Sequence, residues 1–147
     1  MLDDELRIED DPRPEDVATL SERLYEHNAS VTGCHDGQSL AIFVRDGEGR
    51  IIAGLQGWTW AQTGFVQNLW VREELRSHGL GHRLLEAAEL EARRRGCREM
   101  QLDTHSYQAP DFYRRKGYEE LGTLPGWPRD TTRIFFRKAL TPMERTS

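Results

Sequence analysis

The chain of 147 residues is short of several things, and each shortage closes off a class of function. Cysteine is scarce: Cys34 and Cys97 stand far apart, with no CxxC pair and no Cys/His cluster at metal-ligand spacing. That excludes a disulfide framework and a structural zinc site, and His78 and His82 lack the HExxH pattern of a catalytic one. Two reduced thiols and no metal are expected. Positive charge is not in excess either. The formal net charge is −5, which argues against a general nucleic-acid binder and leans weakly towards cationic substrates. No apolar run approaches the length that spans a membrane. The opening MLDDELRIEDD is acidic and has no apolar core of a secretory leader. The expectation is a soluble, cytoplasmic protein without nucleic-acid or membrane partners. No internal repeat or low-complexity segment interrupts the sequence.

What is present suffices for one compact domain over 1–147, with 37% hydrophobic and 31% charged residues. Leu6–Asp10 reads as a first short strand. Asp11–Asn28 reads as a helix: Pro14 suits a first turn, Glu15 and Asp16 suit its positive end, and Val17, Leu20 and Leu24 share one face. Val31–Gln38 reads as loop. Ser39–Asp46, the turn Gly47–Gly49, Arg50–Gln62 and Phe65–Val71 form a β-meander. A helix then runs to about Arg95 and stops at Gly96. Glu99–Thr104 is a strand, so strand, helix and strand make a parallel βαβ unit. A short helix, Ala109–Gly117, precedes two last strands, Tyr118–Gly122 and Arg133–Leu140. Leu124–Arg133 joins them, as a lid over a substrate or an ordinary hairpin connection. The class is α+β, or mixed α/β, with a central sheet that is antiparallel early and carries helices on its faces.

The most specific stretch is the run from Asn68 to Gly96. Gly81, Leu84, Leu85, Ala88 and Ala92 give the helix one apolar stripe. Glu89 with Arg93, and Glu91 with Arg95, have the favourable i, i+4 spacing. Arg93, Arg94 and Arg95 sit where the helix dipole is negative. At the front end the first N–H groups have no partner inside the helix and carry partial positive charge. Gly79 and Gly81 lack Cβ atoms, so phosphates can approach the backbone, and Arg76, His78, His82 and Arg83 add donors or charge. The loop reads as a pyrophosphate site or as a plain sharp turn. It is neither a dinucleotide fingerprint, since Leu84 stands where a third glycine would be, nor a P-loop, since no Gly-Lys-Ser/Thr follows.

Arg76-Ser77-His78-Gly79-Leu80-Gly81 resembles the Arg/Gln-x-x-Gly-x-Gly/Ala signature of the GNAT superfamily of N-acetyltransferases. Ser106 to Tyr118, with Ala109, Phe112, Tyr113 and Gly117, is similar to a second motif of that family, Asn-x-x-Ala-x-x-Phe-Tyr-x-x-x-Gly-Phe/Tyr, with Ser106 in place of the asparagine. The strict match covers about Phe65 to Gly122. The resemblance implies a GNAT-like mixed, mostly antiparallel sheet of six to seven strands with helices on both faces, and acetyl-CoA as acyl donor. It implies that the strand before the glycine loop splays from its neighbour at a bulge. Leu69, Trp70 and Val71 of that strand would then lie along the pantetheine arm. The loop from Arg76 and Ser77 through His78, Gly79, Leu80, Gly81 and His82 would hold the pyrophosphate, with Ser106 and Phe112 also at the cofactor. A homodimer is common among proteins of this resemblance.

Direct acetyl transfer needs a neutral amine, donors for the oxyanion and a proton for the departing thiolate. A backbone N–H near Leu69 suits the second. The resemblance places Tyr113 as the general acid; the competing reading is that it packs the short helix on the sheet. No carboxylate occupies Phe65–Asn68, where some relatives carry a general base. Glu73 and Glu74 read as solvated loop residues. Asp103 and His105 end the next strand, and a water relay through them is favoured. Trp58 and Trp60 alternate onto one sheet face, which is a substrate wall, core packing or a dimer contact. With Tyr25, Asn68 and Asp103 they are the candidate acceptor residues. The leading expectation is an N-acetyltransferase acting on an amine of a small molecule or peptide. The competing one is a coenzyme A-binding sensor without catalysis.

Overall fold

The computed structural model describes residues 6–144. The chain divides into two units, one ending at His35 and the other beginning at Asp36. In the first, helix α1 spans Pro14–Thr32. Pro14 starts it with its φ already helical, and Glu15 and Asp16 face the positive end. The helix passes the expected end at Asn28, whose carbonyl accepts from Thr32 Oγ1 at 2.7 Å. Gly33 closes it in the left-handed region at φ 75°, its N–H bonding to Ala29 O at 2.8 Å. Leu6–Asp10 is not a strand. Its alternating pattern is real, but a strand needs a partner edge, and α1 is the only regular element among the described residues of this unit.

The second unit is built on six strands: β1 Gln38–Arg45, β2 Ile51–Trp60, β3 Thr63–Val71, β4 Glu99–His105, β5 Glu119–Pro125 and β6 Thr132–Ala139, in the order β1-β2-β3-β4-β6-β5. The β1–β2 turn follows its sequence signal. The Asp46 carboxylate accepts from the N–H groups of Glu48 and Arg50, and Gly49 takes φ 82°. Those bonds hold the Asp46 pKa below the usual carboxylate range. All pairings are antiparallel except β3 with β4. Helix α2, Leu80–Arg94, makes that parallel crossover, and α3, Pro110–Arg115, links β4 to β5.

One face of the sheet carries the core. Leu55, Val66, Met100, Leu102 and Phe136 from the strands pack with Leu84, Leu85, Ala88 and Ala92 of α2 and with Tyr113 of α3. The helical stripe read from the sequence is thus the buried one. Of the two expected α2 ion pairs, Glu91–Arg95 forms at 2.9 Å. Glu89 does not pair with Arg93. It accepts from the Tyr118 hydroxyl at 2.7 Å and the Lys138 ammonium at 2.8 Å, while Arg93 Nε donates to Thr141 O. Tertiary partners inside the low-dielectric core outcompete an exposed i, i+4 pair. Among the described residues no helix is long and apolar enough to cross a membrane.

Candidate active site

The site begins as a fault in the sheet. Strand β3 pairs with β4 only from Thr63↔Glu99 to Val66↔Leu102. Both strands continue, β3 to Val71 and β4 to His105, but among the described residues no bridge joins them beyond that point. The cause lies one strand over. Gln56 pairs with Asn68 while Gly57 pairs with Val66, so Gln67 is an extra residue in β3. Such a bulge bends its strand and raises its twist. The bend turns Gln67–Val71 away from β4 and opens a fork, leaving the edge of β3 that faces the fork without a strand partner.

A groove of about 720 Å³ fills the fork. Leu69, Trp70 and Val71 form one wall, Asp103, Thr104 and His105 the other, and Phe112, Tyr113 and Arg115 of α3 close one side. Its far end is the loop before α2, with Arg76, Ser77, Gly79, Leu80 and Gly81. Ser77 and Gly79 are both left-handed, at φ 68° and 81°, which turns successive amides into the same concavity. Among the described residues, the N–H groups from Ser77 to His82 find no backbone partner. Arg76 Nε donates to Val71 O at 2.9 Å and ties the loop to the end of β3.

Strand alternation gives the groove two mouths. Met100, Leu102 and Thr104 are buried towards α2 and α3, so Asp103 and His105 project from the opposite face. Tyr113 stands on the helical side, only 8% exposed. Burial, and after it the negative charge of Asp103, push its hydroxyl up to about 12. It therefore holds its proton at any physiological pH. Asp103 pairs with Arg133 at 2.9 Å. That pairing ties the end of β4 to β6.

The expected site residues fall into three groups. The fork collects Asn68, Leu69, Trp70, Val71, Arg76, Ser77, Gly79, Leu80, Gly81, Asp103, Phe112 and Tyr113. His78, His82 and Ser106 adjoin it without lining it. His78 is exposed, His82 sits against the Glu86 carboxylate one turn along α2, and the Ser106 hydroxyl accepts from Thr132 N at 3.0 Å. Ser106 thus fastens the β4–α3 turn to β6. Trp58 and Trp60 do share a face of β2 but stand apart from the groove, Trp58 stacking on Phe65 with ring centres 4.8 Å apart. Tyr25 lies on α1, in the first unit.

Two contributors escape a sequence reading. Gln108 Oε1 accepts from both His105 N and Thr104 Oγ1, at 2.8 and 2.9 Å, and fixes the end of β4. Trp127, in the β5–β6 turn, packs against His105. Trp127 lies in the Leu124–Arg133 segment, and no local pattern marks it or Gln108 as part of the groove.

Comparison with known proteins agrees with this geometry. The acetyltransferase (GNAT) family model matches residues 2–118. The chain is 34% identical to acetyltransferase Atu2258 of Agrobacterium fabrum over 71% of this chain and 77% of that protein. It is 38% identical to the blasticidin-S acetyltransferase of Streptomyces morookaense over 63% of this chain and 68% of that one. Among solved structures, an acetyltransferase from Bacillus cereus superposes with a TM-score of 0.74 and 28% identity, covering 91% of this chain and 98% of that one. With its forked sheet and amide-lined loop, the chain belongs to the GNAT family of acetyltransferases.

Proposed function

We propose that the protein transfers an acetyl group from acetyl-CoA directly to a primary amine of a small molecule or peptide. The observation that carries this reading is the fork itself, in which the unpaired edge of Gln67–Val71 leads to the free amides at the start of α2. A thioester arm with amide groups of its own can hydrogen-bond along that edge as a strand would. The loop fits a diphosphate. A Cβ on Gly81 would lie 3.8 Å from Phe112 and 3.9 Å from Val71, so the protein itself does not demand a glycine there. The missing side chain leaves room for a ligand, and the amides and helix dipole favour an anion.

When bound, acetyl-CoA supplies the activated acyl group. The chain's residues do the rest. The Ser77–His82 amides hold the diphosphate, and the β3 edge aligns the arm so that the thioester lies at the fork point. A backbone N–H near Leu69 stabilises the carbonyl oxygen as it gains charge. Tyr113 holds its proton on the helical side, ready for the departing thiolate. The amine enters from the opposite mouth, past Asp103 and His105, and loses its proton to water there. Thiol release from acetyl-CoA, followed across a panel of amines, tests this reading. Amine-dependent release is expected. Tight acetyl-CoA binding with no release for any amine would leave a sensor in place of an enzyme.

A further inference from the structure

We infer that His105, Tyr107 and Trp127 form an acceptor subsite that takes amines carrying a flat aromatic or heteroaromatic group. The inference rests on the acetyl-transfer reading and adds the chemical class of the acceptor. Three rings from two distant chain segments meet at the mouth where Asp103 and His105 project. His105 stacks on Tyr107 with ring centres 5.3 Å apart and planes 15° apart. Trp127 approaches His105 at 5.0 Å and 60°. His105 lines the groove, so the cluster continues its wall. Tyr107 is 58% and Trp127 60% exposed. Rings left that far in water contribute little to the core, yet both pack against His105.

Hydrogen bonds brace the two segments that carry the cluster. Gly126 N and Trp127 N both donate to Thr131 O, and Thr131 donates back to Pro128 O through its N–H and its hydroxyl. Ser106 and Thr132 are joined by two hydrogen bonds, and Gln108 braces His105. A preorganised aromatic face loses little entropy when it stacks on a ligand. His105 and Arg133 are cross-strand neighbours, and His105 Nδ1 and Arg133 Nε are buried without a partner. Asp103, the carboxylate of the groove wall, is already paired with Arg133.

The test compares 2-phenylethylamine with 2-cyclohexylethylamine, which match in size and differ in flatness. The wild-type kcat/KM should favour the aromatic amine by about three- to tenfold. Trp127→Ala should bring that ratio towards one, and Trp127→Phe should retain most of it. Acetyl-CoA affinity by calorimetry should be the same in all three proteins. A wild-type ratio near one, or a preference that survives Trp127→Ala, would overturn the inference while leaving acetyl transfer intact. Failure of the wild-type protein to bind acetyl-CoA would overturn the parent reading and this one together.

Discussion

A Cβ placed on Gly57 would fall 1.8 Å from the carbonyl oxygen of Phe65 on the neighbouring strand. No side-chain rotation relieves that contact, because the atom it meets is backbone. Gly57 faces Val66 at the step where Gln67 is extruded, so the bulge and the glycine depend on one another.

Gly57→Ala should therefore damage fold and function together. Overpacking costs roughly 1–3 kcal/mol. For a domain of this size that is a melting temperature lower by about 3–10 °C. Because relief requires β2 and β3 to separate, acetyl-CoA affinity should fall as well. Scanning calorimetry and ligand titration check both. A variant that melts like wild type and binds equally well would show that the fork does not depend on this contact.

Gly81→Ala should separate the two effects. The added methyl meets only ordinary van der Waals contacts, and alanine is the better helix former by about 1 kcal/mol. Stability should hold or rise slightly while acetyl-CoA affinity drops about tenfold. An unchanged dissociation constant would remove the diphosphate from this end of α2.

Tyr113→Phe should lower kcat by about a hundredfold or more, with little change in acetyl-CoA affinity. The pH profile follows from the sign of the shift. A hydroxyl pushed up to about 12 keeps its proton well above pH 10, so kcat should show no falling limb from this group below that pH. The folded state holds the proton more tightly than the unfolded one. The resulting stabilisation is complete below about pH 10 and fades as pH rises towards 12. Tyr118 is raised in the same direction by burial and by the nearby Glu89 charge, and adds to the alkaline loss. Urea titrations of the wild type and of Tyr113→Phe at pH 8 and pH 11 measure it; equal losses in the two proteins would contradict the assignment.

Glu89→Ala should destabilise the protein by about 2 kcal/mol. It removes the acceptor for Tyr118 and the partner of Lys138 at a site where the carboxylate is only 12% exposed. Urea denaturation reads the change. A loss of a few tenths would mean that water replaces the carboxylate at no cost.

The parts of the fold legible from residues alone were those with local signals. Meander, glycine loop, α2 and its Gly96 stop, β4 and α3 each announce themselves within a few residues, through alternation, helical spacing or a glycine at the right place. Leu6–Asp10 had such a signal too, but a strand exists only with a partner. The site was half legible. At one end of the groove Gly79 and Gly81 carry a local glycine signal, and Phe112 and Tyr113 were legible through the family resemblance. The proposed acceptor end is assembled across the sheet. Asp103 with Arg133, Gln108 beneath His105, and Trp127 against that imidazole are meetings between segments whose separation carries no periodicity. Trp58 and Trp60 show the converse: an obvious alternating pair that does not line the groove.

The divergence of β3 and β4 also governs how the protein behaves in a tube. A strand edge left without a neighbouring strand, as in β3 beyond Val66, is the kind of edge on which polypeptides aggregate. If the nucleotide thioester binds in the gap as proposed, it would cover part of that edge, so purification in its presence should yield clearer, longer-lived solutions than purification without it. Colloidal shelf life and saturation with the acyl donor are, on this architecture, two readings of one occupancy.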